Sequence, residues 1–197
     1  MFNYSLTDME KEFKTELEEA PYIAHMQSVL PFSFLFPSEP TKILDHLYLG
    51  SEQDATNLKL LKELGITHIV NCASVYCQTG PSLYGSSVKY LAFEAEDDSD
   101  YDIMQHFPQV FSFIEDARKK GGKVLIHCVV GINRSGALAV AYLMVHQKIG
   151  PISAACDIRK LRSNLLTNDG FQRQLISFAR KQNLLHLDAD KLNKTKR

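Results

Sequence analysis

Residues 127–135 (HCVVGINRS) combine the groups needed for phosphate chemistry. The two that could carry it are a cysteine, Cys128, and an arginine, Arg134. A cysteine thiolate is a nucleophile, and the flat guanidinium of Arg134 can bind two oxygens of one phosphate. Gly131 lies between them and can take the positive φ that curls a short loop into a cradle. The spacing is typical of phosphatases that use a cysteine nucleophile.

The segment falls between a predicted strand and a predicted helix. Residues 123–126 are a short apolar run after two glycines, and residues 136–146 are apolar over the length of a helix. A loop at such a junction aims backbone N–H groups and a helix N-terminus at Cys128, and both favour an anion. An inert buried cysteine is the alternative, but it leaves an arginine at the start of an apolar helix unexplained. The residues predicted to bind phosphate are Val129, Val130, Gly131, Ile132, Asn133 and Arg134.

Five further segments accompany the cysteine loop: residues 47–50, 64–71, 84–91, 141–144 and 168–171. Together they resemble the atypical, or VH1-like, dual-specificity protein phosphatases of the cysteine-based tyrosine phosphatase superfamily. The resemblance runs from about residue 43 to about residue 185. Residues 76–78 and 84–87 are most similar to the testis and skeletal-muscle members.

The resemblance implies an α/β fold, a single domain with a central, mostly parallel sheet flanked by helices on both faces. The order of predicted elements agrees with that fold. The predicted strands are residues 47–49, 67–72, 88–93 and 123–126, and the predicted helices are residues 54–64, 103–119, 134–147, 152–161 and 171–182, with Pro108 delaying or kinking the start of the second helix.

The activity implied by the resemblance is hydrolysis of phosphotyrosine and phosphoserine or phosphothreonine through a phosphocysteine intermediate. Cys128 is then the nucleophile, and Arg134 binds the phosphate and stabilises the transition state. The partners would be phosphorylated proteins, with kinases among the candidates. We expect no metal and no other cofactor, because backbone amides and one guanidinium supply the positive field.

The leaving oxygen needs a proton, which a carboxylic acid on a facing loop could supply. Residues 94–102 follow a predicted strand and contain six carboxylates, and composition does not choose among them. The family resemblance places the general acid and base at Asp97, with Asp98 as the second candidate. A solvated acidic loop is the alternative interpretation.

Two residues beside the nucleophile have predicted supporting roles. Ser135 could hydrogen-bond the sulfur of Cys128 and help it leave the phosphocysteine, or it could satisfy a free N–H at the helix start. The resemblance gives His127 the role of orienting the loop by a hydrogen bond to the backbone.

Three residues elsewhere are assigned from the resemblance. Asn168 would tie a neighbouring loop to the cradle, unless it is simply a turn residue. Arg162 aligns with an arginine that takes a second phosphate, although one extra residue separates it from Asn168; a surface arginine is the alternative. Cys72 lies where some relatives carry a thiol that bonds to the catalytic sulfur, or it is an ordinary core residue.

Two other functions compete with protein phosphatase activity. Residues 131–136 (GINRSG) also resemble the loop of RNA 5′-triphosphatases, but the net charge of −1 and the acidic residues 94–102 oppose RNA binding. A phospho-binding pseudophosphatase would lack the nucleophile, which is present here. The loop interior has no lysine or arginine, which argues against inositol lipids.

Composition sets the domain organisation. A chain of 197 residues with 45% apolar residues can form one well-buried core. Residues 1–40 are predicted to be a helical appendage, with a helix over residues 7–20 that Pro21 ends, followed by a proline- and aromatic-rich linker. Residues 41–187 would form the catalytic domain, and residues 188–197 a polar, disordered tail.

Composition also indicates the compartment and the partners. No apolar run approaches the ~20 residues that span a bilayer, and the N-terminus lacks a secretory apolar core. The four cysteines show no metal-ligand or disulfide spacing, which predicts a reducing compartment, the cytoplasm or the nucleus or both. No nucleic-acid or membrane partner is expected, and the sequence does not predict an oligomeric state.

Overall fold

The computed structural model of the chain describes residues 6–194 apart from residues 32, 34 and 36, and within that range the side chains of residues 11–192. A five-stranded sheet forms its centre, with strand order β1-β2-β5-β3-β4. The strands are β1 (Thr41–Leu44), β2 (Leu47–Gly50), β3 (His68–Asn71), β4 (Lys89–Ala92) and β5 (Val124–His127). Only β1 runs antiparallel to its neighbour, so the predicted mostly parallel sheet is confirmed.

All four predicted strands are present, and β1 is the one that the sequence did not predict. Four residues are too few to show an alternating pattern, and β1 lies at an edge of the sheet where three of its own four residues are at least partly exposed. It pairs with β2 through a tight reversal at residues 45–46. The central strand β5 is buried along its whole length, which explains its continuous apolar sequence.

Helices cover both faces of the sheet. They are α1 (Leu6–Val29), α2 (Glu52–Thr56), α3 (Leu58–Leu64), α4 (Pro81–Tyr84), α5 (Phe107–Lys119), α6 (Arg134–Gln147), α7 (Pro151–Leu161), α8 (Asp169–Lys181) and α9 (Ala189–Lys194). Successive strand residues point to opposite faces, so Leu125 packs in a small core with α3, whereas Ile126 packs in a larger core with α6. No described helix is long and apolar enough to cross a membrane.

The predicted helix over residues 54–64 is two helices, α2 and α3, and Asn57 separates them. Its side chain accepts a hydrogen bond from the N–H of Leu60 at 3.1 Å, and its own N–H bonds back to the carbonyl of Asp54. Asparagine favours such capping over a helix interior. The predicted delay at Pro108 is confirmed, because a 3₁₀ turn over Ile103–His106 precedes α5.

The prediction that Pro21 ends the first helix is wrong, because α1 continues through it to Val29. A proline inside a helix removes one hydrogen bond and costs about 3 kcal/mol. Beyond Pro21, Met26 is fully buried and Leu30 nearly so, both in the larger core. Burying each such side chain contributes roughly 1.5–3 kcal/mol, which offsets the proline.

The linker after α1 is attached to the segment that follows α7. The buried Asn164 side chain accepts a hydrogen bond from the N–H of Ser33 at 2.8 Å and donates to the carbonyls of Ser33 and Leu35. Arg159 donates to the carbonyl of Pro31 at 2.9 Å. The expectation of an aromatic-rich linker falls partly on residues 32, 34 and 36, which lie outside the described residues.

The prediction of a disordered tail is wrong for residues 188–194. Asp188 is fully buried, and its carboxylate accepts hydrogen bonds from the N–H of Ile152 at 2.7 Å and the hydroxyl of Ser153 at 2.5 Å. Both donors lie in the first turn of α7, where a negative charge is stabilising. Helix α9 follows directly. Because Asp188 caps a helix far away in the chain, the composition of residues 188–197 does not indicate this role.

Candidate active site

The loop between β5 and α6 forms a cradle around the sulfur of Cys128. The Sγ atom accepts hydrogen bonds from the N–H of Gly131 and the hydroxyl of Ser135, each at 3.2 Å. Gly131 has φ +76°, and a Cβ there would stand 2.3 Å from the carbonyl oxygen of Gly50. Only glycine therefore allows the loop to bend this closely against β2.

Four consecutive carbonyls of the loop are bound by the surrounding scaffold. The carbonyl of Val129 accepts from the N–H of Glu52 at 3.0 Å, and that of Ile132 accepts from the N–H of Leu166 at 3.1 Å. The carbonyls of the two residues between them, Val130 and Gly131, accept from the side chain of Arg162. In a trans peptide the C=O and the next N–H point in opposite directions, so the amides of residues 130–133 turn inwards.

Arg134 opens α6 and is nearly buried. Its Nη1 donates to the carbonyl of Ala95 at 3.3 Å, and its Nε lies 3.8 Å from a carboxylate oxygen of Asp97. Among the described residues the Nε–H has no hydrogen-bond partner. The guanidinium is thus held beside Cys128 with a donor left for an anion. The exposed ring of Tyr76 lies 5.4 Å from its central carbon, a cation–π contact.

His127 is fully buried at the end of β5. Its Nδ1 lies 3.3 Å from the carbonyl oxygen of Cys128, so Nδ1 carries the proton and donates it. Burial lowers the pKa of His127 to about 4, which keeps the ring neutral at physiological pH. This placement fits the predicted role of orienting the loop, without transfer of protons.

The acidic loop after β4 brings Asp97 to the cradle. One oxygen of its carboxylate accepts from the side-chain amide of Asn168 at 3.0 Å, and the other from that of Asn133 at 3.3 Å. Asp98 instead accepts from the N–H of Asp100 at 2.8 Å, a turn within its own loop. The structure therefore places Asp97, and not Asp98, over the phosphate loop.

Asn168 joins three parts of the site. Its side-chain oxygen caps α8 by accepting from the N–H of Phe171, and its own N–H donates to the side chain of Asn133 in the cradle. The acidic loop also approaches α8 very closely, since a Cβ at Gly170 would stand 2.0 Å from the carbonyl oxygen of Ser99. These contacts correspond to the predicted tie between a neighbouring loop and the cradle.

Arg162 has neither of the positions expected from the sequence, contact with a second phosphate or exposure on the surface. It is 3% exposed, so it is not a surface arginine, and its nitrogens donate to the loop carbonyls and not towards solvent. Neither this role nor the contact between Tyr76 and Arg134 could be found from sequence. Both contacts join segments far apart in the chain, which no local pattern of residues indicates.

Cys72 lies beside Cys128 at the carboxyl edge of the sheet. Asn71 of β3 is paired with His127 of β5, and the N–H of Cys72 donates to the carbonyl of His127 at 2.9 Å. Neighbouring strands are ~4.8 Å apart, within the ~7 Å that a disulfide requires between Cα atoms. All four cysteines are free thiols, and burial raises the pKa of Cys72 well above its ordinary value.

A family model described as dual specificity phosphatase, catalytic domain, matches residues 47–181, more than half of the chain. The chain belongs to this family, as the sequence predicted. It is 37% identical to dual specificity protein phosphatase 6 of Homo sapiens over 178 residues, which cover 88% of this chain and 45% of that protein. The chain thus spans less than half the length of that relative. The finer likeness to testis and skeletal-muscle members stays a prediction.

A second relative and two solved structures extend the comparison. Dual specificity protein phosphatase 26 of Bos taurus is 33% identical over 179 residues, which cover 84% of this chain and 82% of that protein. The crystal structure of DUSP15 matches with a TM-score of 0.68 and 30% sequence identity, and the match covers 80% of this chain and 97% of that chain. The second crystal structure is of human tyrosine phosphatase-like serine/threonine/tyrosine-interacting protein. It matches with a TM-score of 0.69 and 28% sequence identity, covering 75% of this chain and 99% of that chain. The predicted α/β fold is confirmed.

Proposed function

We propose that the chain hydrolyses phosphotyrosine and phosphoserine or phosphothreonine in phosphorylated proteins through a phosphocysteine intermediate. One observation carries the proposal: Asp97, the sulfur of Cys128 and a free donor of Arg134 converge on one loop whose amides turn inwards. Membership of the dual-specificity phosphatase family supports the substrate class.

In the first step the thiolate of Cys128 attacks phosphorus in line. The bond from phosphorus to the substrate oxygen breaks, and Asp97 gives that oxygen a proton. The inward amides and Arg134 bind the equatorial oxygens most strongly when their charge redistributes in the transition state. Together these effects must lower the barrier by on the order of 20 kcal/mol, because uncatalysed phosphate-monoester hydrolysis is extremely slow.

In the second step water attacks the phosphocysteine and the sulfur leaves. Asp97, now ionised, accepts a proton from that water, as microscopic reversibility requires. The hydroxyl of Ser135 already points at the sulfur, 3.2 Å away, and stabilises the thiolate as it departs. The same hydrogen bond serves the thiolate before the first step.

The test is a comparison of substrates on the full chain. Matched peptides carrying phosphotyrosine, phosphothreonine or phosphoserine are expected to release phosphate, whereas RNA 5′-triphosphate is expected to react much more slowly. The acidic side chains of residues 94–102 around Asp97 repel a polyanion such as RNA. Phosphate release is measured for all four substrates, with the Cys128→Ser variant as the blank.

Two outcomes would contradict the proposal. Preferential hydrolysis of RNA 5′-triphosphate would make the chain an RNA-processing enzyme. Tight binding of phosphopeptides without release of phosphate would make it a binding protein, a possibility raised by the structural match to a phosphatase-like interacting protein. The presence of Cys128, Arg134 and Asp97 in one site opposes that second outcome.

A redox prediction follows from the position of Cys72. Peroxide should oxidise Cys128 to a sulfenic acid, and the thiol of Cys72 should then displace water to form a disulfide. Wild-type activity is expected to return fully with a thiol reductant, while Cys72→Ser recovers less because its sulfenic acid oxidises further. The measurement is activity before and after reduction, together with mass spectrometry of the bridged peptides.

The matched control is Cys77→Ser. Cys77 is also a buried thiol near the site, and burial raises its pKa to about 12. If Cys72 is the resolving thiol, Cys77→Ser should recover like the wild type. Equal recovery of Cys72→Ser and the wild type would leave Cys72 as a core residue, and loss of recovery in Cys77→Ser alone would assign the bridge to Cys77.

A further inference from the structure

Each of the three guanidinium nitrogens of Arg162 donates a hydrogen bond to the protein. Nε donates to the carbonyl of Gly131 at 2.9 Å, Nη2 to the carbonyl of Val130 at 3.1 Å, and Nη1 to the hydroxyl of Thr41 at 3.3 Å. The residue caps the C-terminal end of α7 and is 3% exposed. A side chain so placed presents no free fork to a second phosphate.

These bonds fix the direction of the amides in the cradle. The carbonyl of Val130 and the N–H of Gly131 belong to one trans peptide and point in opposite directions. Because Arg162 binds that carbonyl, the N–H of Gly131 must face the other way, and it donates to the sulfur of Cys128 at 3.2 Å. By the same geometry the bond to the carbonyl of Gly131 turns the N–H of Ile132 inwards.

The contact is close as well as directional. A Cβ added at Gly131 would stand 2.6 Å from Nη2 of Arg162. The side chain therefore packs directly against the outside of the loop at its single positive φ. Two of the four carbonyl anchors of the loop come from this one side chain, and the other two come from the backbone of residues 52 and 166.

Arg162 also places a positive charge behind the nucleophile. Burial lowers the pKa of its guanidinium, whereas the negative charges of Asp54 and the Cys128 thiolate raise it. An arginine stays protonated under such conditions, so the charge is present at physiological pH. The other titratable groups around this site include the thiols of Cys72 and Cys77 and the guanidinium of Arg134. The carboxylates of Asp97 and Glu52 and the imidazole of His127 also face it.

We propose that Arg162 is a positioning residue of the phosphatase reaction: it holds the carbonyls of Val130 and Gly131 outwards so that the loop amides face the phosphate and the sulfur. This inference rests on the proposed function for its meaning in catalysis. It replaces the predicted contact of Arg162 with a second phosphate.

The experiment compares Arg162→Met, which removes the charge and all three bonds, with Arg162→Lys, which keeps the charge. An ammonium cannot bind the two carbonyls and the hydroxyl in the geometry of a planar fork. The matched control is Arg173→Met, since Arg173 is exposed on α8 and its replacement loses the same charge. Thermal unfolding and circular dichroism verify that each variant is folded.

Two measurements that need no turnover are made on each protein. The first is the rate of Cys128 alkylation by iodoacetamide as a function of pH, followed by mass spectrometry. The second is the concentration of inorganic phosphate that protects Cys128 from alkylation. The hydrolysis of p-nitrophenyl phosphate is measured separately.

For Arg162→Met we expect the alkylation midpoint to move to higher pH, because the thiolate loses a nearby positive charge. Protection should need about tenfold more phosphate, since two inward amides lose their alignment. Arg162→Lys should shift the alkylation midpoint less than Arg162→Met, because it keeps the charge, and still need more phosphate. Arg173→Met should match the wild type. If Arg162→Met does not fold, the loss of phosphate protection in Arg162→Lys decides the question.

The proposal is overturned if both Arg162 variants are protected by the same phosphate concentration as the wild type. It is also overturned if they lose only the binding of doubly phosphorylated peptides, because Arg162 would then contact a second phosphate. Failure of the proposed function is distinguishable: a wild type that hydrolyses no phosphopeptide, with variants that still lose phosphate protection, leaves the positioning role in place.

Discussion

Cys128→Ser is expected to lower the rate of hydrolysis of every phosphomonoester by on the order of 10⁴-fold or more. Covalent catalysis is lost when its nucleophile is removed. A serine hydroxyl is far less nucleophilic than a thiolate unless a general base activates it. The cradle should survive, because its amides are held by the carbonyl anchors of residues 129–132 and not by the sulfur.

Two measurements check this expectation. Steady-state phosphate release should fall to the blank, while a phosphopeptide still binds to Cys128→Ser by isothermal titration calorimetry. The control is Ser135→Ala, which keeps Cys128 but removes the hydrogen bond from the Ser135 hydroxyl to its sulfur. That variant should still form the phosphocysteine and break it down slowly, giving a burst followed by a low rate. Substantial turnover by Cys128→Ser would show that the mechanism does not use this sulfur.

The nucleophile and its arginine could be predicted because one continuous segment carries them. The strand, the loop and the helix start are contiguous, so local chemistry and local periodicity indicate the same site. Asp97 was harder to predict as the proton donor, because its loop contains six carboxylates. Its selection depends on Asn133 and Asn168, which reach it from other parts of the fold. The family resemblance supplied what the composition did not.

Three features could not be predicted because their causes are long-range. Pro21 should end a helix on local grounds, but packing of Met26 into the core carries α1 past it. Asp188 looks like part of a polar tail, yet it caps a helix that begins 37 residues earlier in the chain, at Pro151. The resemblance gave Arg162 contact with a second phosphate, but its contacts are with the loop carbonyls against which it packs.

Asp97→Asn is expected to lower kcat by roughly 10²–10⁴-fold, the usual contribution of a positioned proton donor. The amide has nearly the same shape, so binding of phosphopeptide should change little. The basic limb of the pH–rate profile should flatten in Asp97→Asn, because the variant has no proton donor at this position. The defect should shrink for p-nitrophenyl phosphate, whose leaving group needs little protonation, and remain large for phenyl phosphate.

Asp98→Asn is the matched control, because it changes the neighbouring carboxylate that turns back into its own loop. It should keep both limbs of the pH–rate profile and the wild-type dependence on the leaving group. If Asp98→Asn produces the loss and Asp97→Asn does not, the proton donor is Asp98, and the acidic loop must move when substrate binds. The hydrogen bonds from Asn168 and Asn133 to Asp97 argue against such a movement, because they already hold its carboxylate beside Arg134.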